Sequence, residues 1–159
     1  MRRLDFDSGP DLARPGEALA TGAPPAHLGA ALDALRGYLA GRVRTFDLPL
    51  DLHGLSAFQL RVYERLLRIP WGQVVSYGRV ADDIGADHSG AARAVGGAVG
   101  SNPLPILIPC HRVVASDGRL TGFGGGLPRK VALLALEGIQ ADGVQASSRV
   151  HPEVLTLPL

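Results

Sequence analysis

The sequence predicts an α+β protein with a short N-terminal α/β piece, made of a reduced sheet and one helix. A mostly helical domain with a winged helix-turn-helix pattern follows it. Helix caps and helix stops cluster between residues 56 and 100, whereas the strand-like runs are only three or four residues long. We expect an N-terminal piece and linker over 1–50, the main domain over 51–140 and a polar, loosely held tail over 141–159.

The N-terminal piece contains one strand-like run and one helix. Residues 3–6 (RLDF) alternate between polar and apolar side chains, as in a short strand. Over 27–41, leucines at 28, 32, 35 and 39 form one stripe of an amphipathic helix that Gly41 ends. Residues 45–55 form the linker to the main domain.

The main domain begins with strong helix signals. Ser56 and Gln59 have the spacing of a capping box, so a helix starts at this point. Ser76 can cap a second, shorter helix, which Gly85 ends. A turn then leads to a third helix over 90–100, and the last two helices form a helix-turn-helix candidate.

The second helix of this pair has an unusual composition. Ala92, Ala94, Gly96 and Gly97 have almost no bulk, and Arg93 is the one long side chain. Glycine costs about 1 kcal/mol in a helix interior relative to alanine, so the composition requires a reason. Two readings remain open. The small residues permit tight helix–helix packing, or they let the helix approach a narrow surface such as a DNA minor groove.

The C-terminal part of the domain combines a turn, a loop and a helix. Residues 113–115 read as a strand, and the turn at 116–118 is a hairpin-type signal. The glycine-rich loop 121–126 lacks the context of a nucleotide-binding loop, so we expect it to close over a ligand with its free N–H groups. Pro128 opens a last helix that ends at Gly138.

Cys110 is the only cysteine, and His111 is its direct neighbour. A thiol is nucleophilic as a thiolate, and an imidazole is a common acceptor for its proton. The alternative is a buried, inert cysteine beside a structural histidine. One cysteine excludes an intrachain disulfide and fits a reducing compartment. The five histidines show no paired ligand spacing, so we expect no metal site.

Charge and hydropathy narrow the class of protein. The net charge is +1, from 16 basic and 15 acidic residues, which is far from the excess typical of proteins held on DNA by phosphate contacts. Arg112, Arg119, Arg129 and Lys130 form a weak basic patch against the single acid Asp117. The sequence has no apolar stretch of the ~20 residues that a membrane helix needs, so we expect a cytoplasmic protein with no membrane partner.

About half of the chain resembles the O6-alkylguanine-DNA alkyltransferases, which repair alkylated guanine. The shared motifs occur in the family's order. They are 74–77 (VVSY), 92–98 (ARAVGGA), 102–103 (NP), 105–114 (PILIPCHRVV) and 125–138, which runs from GGL to LEG.

This resemblance implies a role for each of five residues. Cys110 would accept the alkyl group from guanine O6 in a single-turnover reaction. His111 would deprotonate Cys110 through a water, Glu137 would hold the imidazole and Asn102 would brace the turn that presents the thiol. Tyr77 would protonate or hydrogen-bond the departing guanine.

The resemblance also implies a DNA partner without a cofactor or metal. Arg93 would fill the gap left by a flipped nucleotide. The chain would act as a monomer on the minor groove of double-stranded DNA with O6-alkylguanine, and O4-alkylthymine stays open as a second substrate. When scanning DNA it would be nucleoid-associated. The implied DNA-binding residues are Tyr77, Ala92, Arg93, Ala94, Gly96 and Gly97, and the implied base pocket is Pro105, Val113, Phe123 and Gly124.

The sequence departs from the family at three places. Phe123 stands where some members have a tyrosine, and the metal-site cysteines of some relatives' N-terminal domains are absent, so we expect no zinc. The usual N-terminal β-hairpin is also missing before residues 3–6, which fits either a truncated start or a reduced sheet.

Three other functions compete with this one. An alkyltransferase-like protein, which binds damage without transfer, would lack Cys110. A sequence-specific regulator would need several base-reading side chains on its second helix, where Arg93 is alone. A thiol hydrolase would need an evident oxyanion site.

Overall fold

The computed structural model describes residues 26–150. The strand expected at 3–6, the connector up to 25 and residues 151–159 lie outside the described part of the chain. No helix within 26–150 has the length and apolar character needed to cross a membrane. The elements are α1 (Ala26–Leu39), α2 (Ala57–Leu67), β1 (Val75–Ser76), α3 (Tyr77–Asp83), α4 (Ala91–Gly100), a 3-10 turn (Cys110–Arg112), β2 (Val113–Val114) and α5 (Leu127–Leu136). The predicted α+β class is confirmed.

Helix α1 forms where the sequence predicts it, but its buried face is rotated from the predicted leucine stripe. Gly41 follows the helix with φ +69°, as expected of a helix stop. Ala31 and Tyr38 are buried, whereas Leu39 is 57% exposed. Residues 31, 35 and 38 follow the 3.6-residue period, so they share one face. The predicted apolar stripe is therefore wrong at Leu39.

The caps of the central helices follow the local sequence signals. The Ser56 hydroxyl accepts the Gln59 N–H at 3.2 Å, and the Gln59 side chain accepts the Ser56 N–H at 3.0 Å, which completes the capping box of α2. Ser76 caps α3. Gly85 and Gly90 both have positive φ and bound the turn before α4. Since α3 packs against α4, and α2 against both, the predicted helix-turn-helix is confirmed.

The two short strands pair with each other in parallel. Val75 lies opposite Val113, and Ser76 lies opposite Val114. The predicted turn does form, because the Gly118 N–H donates to the Ala115 carbonyl at 2.9 Å. The Ala115 N–H also donates to the Arg119 carbonyl at 2.9 Å across this turn, so the hairpin-type signal is confirmed locally, whereas residues 113–114 pair with β1. Because the pairing is parallel, the start of α3 lies beside Ala115 and the turn that follows β2.

The core is built from α2, α4 and the apolar run 104–108. Val62, Leu66, Val95, Leu104 and Ile108 are buried together in one cluster. The linker packs against the same cluster through its alternating apolar side chains at 46, 48, 50 and 52. The linker has no helix or strand, and these apolar contacts hold it against the core.

The segment after α5 is packed against the domain up to residue 150. Ile139 and Val150 are 3% exposed and belong to a cluster with Val74, Leu120 and Leu134. The backbone pairs Ala141 with Val150 in an antiparallel bridge. The expectation of a loosely held tail over 141–159 is wrong for residues 141–150, because the bridge at Ala141 and the buried Val150 anchor this otherwise polar segment.

Candidate functional site

Cys110 lies at the end of the buried run 104–108, in the first position of the 3-10 turn. The thiol is 4% exposed. Asn102 holds both ends of the run, because its Nδ2 donates to the Ile108 carbonyl at 2.9 Å and its Oδ1 accepts the Leu104 N–H at 3.0 Å. Burial raises the pKa of the Cys110 thiol, against the opposing effects of Asn102 and the Lys130 ammonium.

Behind the cysteine, His111 and Glu137 form a buried pair. His111 Nε2 lies 3.0 Å from Glu137 Oε1, and both side chains are fully buried. Burial opposes the ionisation of Glu137, but hydrogen bonds from His111 and Arg112 outweigh it and lower the carboxyl pKa to about 2. Burial lowers the pKa of His111 despite the neighbouring carboxylate. A neutral imidazole therefore faces an ionised carboxylate.

The hydrogen bonds fix which ring nitrogen of His111 is free. A carboxylate only accepts, so Nε2 must be the nitrogen with the proton in its bond to Glu137. The second ring nitrogen, Nδ1, is buried and has no hydrogen-bond partner among the described residues. In a neutral imidazole this nitrogen has a free lone pair. The arrangement thus supplies a proton acceptor on the residue next to the thiol.

Tyr38 enters this site from α1, and the sequence analysis missed it. Its hydroxyl donates to Glu137 Oε1 at 2.7 Å and lies 3.2 Å from His111 Nε2. The side chain is fully buried. Its helical spacing from Leu35 and Ala31 was the available signal, since the three residues lie three and four positions apart on one face.

Tyr77, Phe123 and Gly124 of the expected site line one cleft of about 390 Å³. The Tyr77 hydroxyl is bonded to the Thr121 hydroxyl at 3.1 Å, which connects the start of α3 to the loop. Val113 and Pro105 do not line this cleft. Val113 is fully buried in β2, and Pro105 is half-buried in a bridge to Ile108. The full lining is Tyr77, Gly96, Val99, Gly100, Thr121, Gly122, Phe123 and Gly124.

The outer face of α4 is exposed and nearly without bulk. Ala92, Arg93, Ala94 and Gly97 are exposed, while the opposite face packs into the core. A Cβ added at Gly97 would meet no atom within 4 Å, so close packing does not explain that glycine. Gly96 is half-buried and lies near the Tyr77 ring, with 3.9 Å from an added Cβ to the ring. Arg93 makes no side-chain hydrogen bond or ion pair with the described residues.

A second cleft runs from Tyr77 along this helix to the turn after β2. It encloses about 670 Å³. Tyr77 and Gly96 line both this cleft and the cleft beside the glycine-rich loop. The lining is Tyr77, Gly78, Ala92, Arg93, Gly96, Gly97, Ala115 and Ser116.

Two of the four residues in the expected basic patch are buried, so the patch is not a surface feature. Arg112 bonds to Glu137, and Lys130 is fully buried. Lys130 Nζ donates to the Val113 carbonyl at 2.6 Å and to the Leu120 carbonyl at 2.5 Å. Burial lowers the pKa of this lysine to about 8. Both cations thus organise the interior of the site.

Comparison with known proteins gives one consistent family. Residues 57–139 match the family model described as the DNA-binding domain of 6-O-methylguanine DNA methyltransferase. A methylated-DNA–protein-cysteine methyltransferase from Mycobacterium tuberculosis is 54% identical over 113 residues, which is 71% of this chain and 67% of the relative.

Solved structures show the same fold. The crystal structure of M. tuberculosis OGT in complex with DNA has a TM-score of 0.65 at 55% identity, and the match spans 69% of this chain and 66% of that one. The structure of S. pombe Atl1, in complex with damaged DNA containing O6-carboxymethylguanine, has a TM-score of 0.56 at 27% identity. That match spans 65% of this chain and 98% of that one.

Proposed function

Because the chain belongs to the 6-O-methylguanine DNA methyltransferase family, we propose that it repairs O6-alkylguanine in DNA by moving the alkyl group to its own Cys110. The observation that carries this proposal is the sequence of contacts from the cysteine thiol to a histidine and on to a buried glutamate. The sole cysteine is followed by His111, whose Nδ1 has no hydrogen-bond partner within residues 26–150 and whose Nε2 bonds to buried Glu137. That order matches the nucleophile–base–orienting-group arrangement of covalent catalysis.

The reaction is a single displacement whose atoms balance without a co-reactant. His111 Nδ1 takes the thiol proton, and the thiolate attacks the alkyl carbon on O6. The sulfur–carbon bond forms as the carbon–O6 bond breaks, and the electron pair stays with guanine, which takes up one proton. The alkyl group remains on Cys110 as a thioether, so each molecule reacts once.

Tyr77 is the proposed donor to the departing base. It lies at the junction of the two clefts, and its hydroxyl is held by Thr121 at 3.1 Å. Burial raises the pKa of this phenol, so it stays protonated at neutral pH. Expelling a neutral base is easier than expelling an anion, and a protonated hydroxyl at this place lowers the barrier.

We propose that the exposed face of α4 enters the minor groove and that Arg93 takes the place of the flipped nucleotide. The small residues of this face allow close approach, and Arg93 projects without a partner in the described chain. The M. tuberculosis relative solved with DNA supports a DNA partner. O4-alkylthymine is a possible second substrate in the same cleft.

Intact-mass analysis tests the proposal. The protein is incubated with a duplex oligonucleotide that contains one O6-methylguanine, and the matched control is Cys110→Ala. We expect the wild-type chain to gain the mass of one CH₂ on the peptide with Cys110, while the variant gains none but still binds the duplex. Binding of the lesion by the wild-type chain without a mass gain would refute transfer and would indicate a damage-binding protein instead.

A further inference from the structure

We propose that Tyr38 is a positioning residue of the Cys110–His111–Glu137 relay, in which its hydroxyl holds the carboxylate that orients the imidazole. This inference rests on the proposed function and extends it to α1. Helix α1 lies before residues 57–139, the segment that matches the family model. The relay would therefore depend on a residue outside the matched domain.

The geometry of one oxygen carries the argument. Glu137 Oε1 accepts from Tyr38 Oη at 2.7 Å, from His111 Nε2 at 3.0 Å and from Arg112 Nη2 at 2.7 Å. The tyrosine hydroxyl also lies 3.2 Å from Nε2, so it contacts both members of the histidine–glutamate pair. With its proton directed to the carboxylate, the hydroxyl fixes the oxygen that keeps the Nε2 proton in place.

The Tyr38 ring is held rigidly enough to define this geometry. It packs edge-on against Trp71 at 5.1 Å and tilted against Phe46 at 5.4 Å, measured between ring centroids. The side chain has no exposed surface. A hydroxyl on a packed ring keeps its position without the entropy cost of an exposed side chain.

The charged groups around His111 determine the direction in which its protonation should shift when the Tyr38 hydroxyl is lost. The titratable and charged groups that face it are Tyr38 from α1, Cys110 and Arg112 from the 3-10 turn, Lys130 from α5 and Glu137 after α5. The Tyr38 hydrogen bond stabilises the carboxylate and so reduces its attraction for a protonated imidazole. Without that bond, His111 would keep its second proton, on Nδ1, up to a higher pH. Nδ1 would then be unable to accept the thiol proton over a wider pH range.

Tyr38→Phe removes the hydroxyl and keeps the packed ring. The rate of transfer from the O6-methylguanine duplex is measured against pH. We expect the acidic limb of the profile to move up by about half a pH unit, with the rate recovered at higher pH. The matched control is Tyr63→Phe, since Tyr63 is equally buried but its hydroxyl bonds to the Ala98 carbonyl at 2.8 Å and not to the histidine–glutamate pair. We expect that variant to leave the limb in place.

A second variant should move the acidic limb of the pH profile in the opposite direction. Site-specific 3-fluorotyrosine at position 38 keeps the hydroxyl and makes it a stronger donor, so we expect the acidic limb to move down. Histidine ¹⁵N spectra follow the protonation of His111 without any reaction and should show the same two shifts. An unmoved limb and an unmoved His111 titration in both variants would overturn the role of Tyr38. A wild-type chain without any mass gain would instead refute the proposed function, and the spectra would still decide the role of the hydroxyl.

Discussion

The guanidinium of Arg112 and the carboxylate of Glu137 form a buried two-point ion pair. Arg112 Nη2 lies 2.7 Å from Oε1 and Nε lies 2.9 Å from Oε2, while Nη1 donates to the Ile69 carbonyl at 2.6 Å. A buried carboxylate is stable in its ionised form only when such donors surround it. The charge behind His111 is therefore held in place by the protein interior.

This ion pair predicts a loss of stability in acid. The folded-state pKa of Glu137 is about 2 against an ordinary value of 4.5. Its contribution is therefore present above pH 4.5 and is lost as the pH falls from 4.5 towards 2, by on the order of 3 kcal/mol. Chemical denaturation at a series of pH values measures this. Glu137→Gln should be less stable by about 3 kcal/mol at pH 7 and should lack this part of the acid dependence. The same acid slope in both chains would contradict the assignment.

Arg93→Ala should slow alkyl transfer from a DNA duplex without slowing the reaction with a free base. If Arg93 fills the space of the flipped nucleotide, its loss should slow transfer from a duplex by about tenfold or more, since 1.4 kcal/mol corresponds to a factor of ten. The reaction with a free O6-substituted guanine should keep its rate. Arg36→Ala is the charge-matched control, because Arg36 is exposed on α1. Equal slowing with both substrates would remove Arg93 from this role.

Gly97→Ala should make the protein more stable and a weaker DNA binder. The new methyl group meets no atom of the described chain, so the helix gains about 1 kcal/mol of stability from propensity. On the proposed DNA face the same methyl group prevents close approach. Thermal unfolding and duplex titration measure the two effects. Gly29→Ala in α1 also enters open space and should stabilise without a change in binding. Unchanged duplex affinity for Gly97→Ala would argue against groove entry by this face.

Lys130→Met should impair both folding and reactivity. It leaves the carbonyls of Val113 and Leu120 without their buried donor, at a cost of about 2 kcal/mol in unfolding free energy. It also removes the ammonium that lowers the pKa of Cys110, so transfer near pH 7 should be slower. The Lys130 pKa is about 8, so the wild-type chain loses this advantage as the pH rises through 8. Transfer rates of the two chains should converge there. A constant ratio at all pH values would show that the ammonium has no electrostatic role.

Local signals in the sequence predict the helices, but the assembly of the site depends on distant contacts. Ser56, Ser76 and Gly85 act within one helical turn, so their patterns can be read directly. The pairing of β1 with β2 joins two-residue strands far apart in the chain, and such short strands have no periodicity to read. The resemblance named Glu137 as the partner of His111. The spacing of Tyr38 from Leu35 and Ala31 indicates only that Tyr38 shares their face of the helix, and not which residues it contacts.

Charged residues were the hardest to place from the sequence. Arg112 and Lys130 look like surface residues because lysine and arginine are almost never buried unless paired. Here a carboxylate pairs with the arginine, and two backbone carbonyls accept from the lysine. Those partners come from segments that only the folded chain brings together.

The anchoring of the chain after α5 bears on how the gene can be shortened. Val150 is buried in the same cluster as Val74 and Leu134, and its N–H donates to the Gly118 carbonyl at 3.1 Å. A gene fragment cut at residue 139, where the family match stops, would uncover this cluster and give an aggregation-prone product. Expression trials should keep the codons up to Val150.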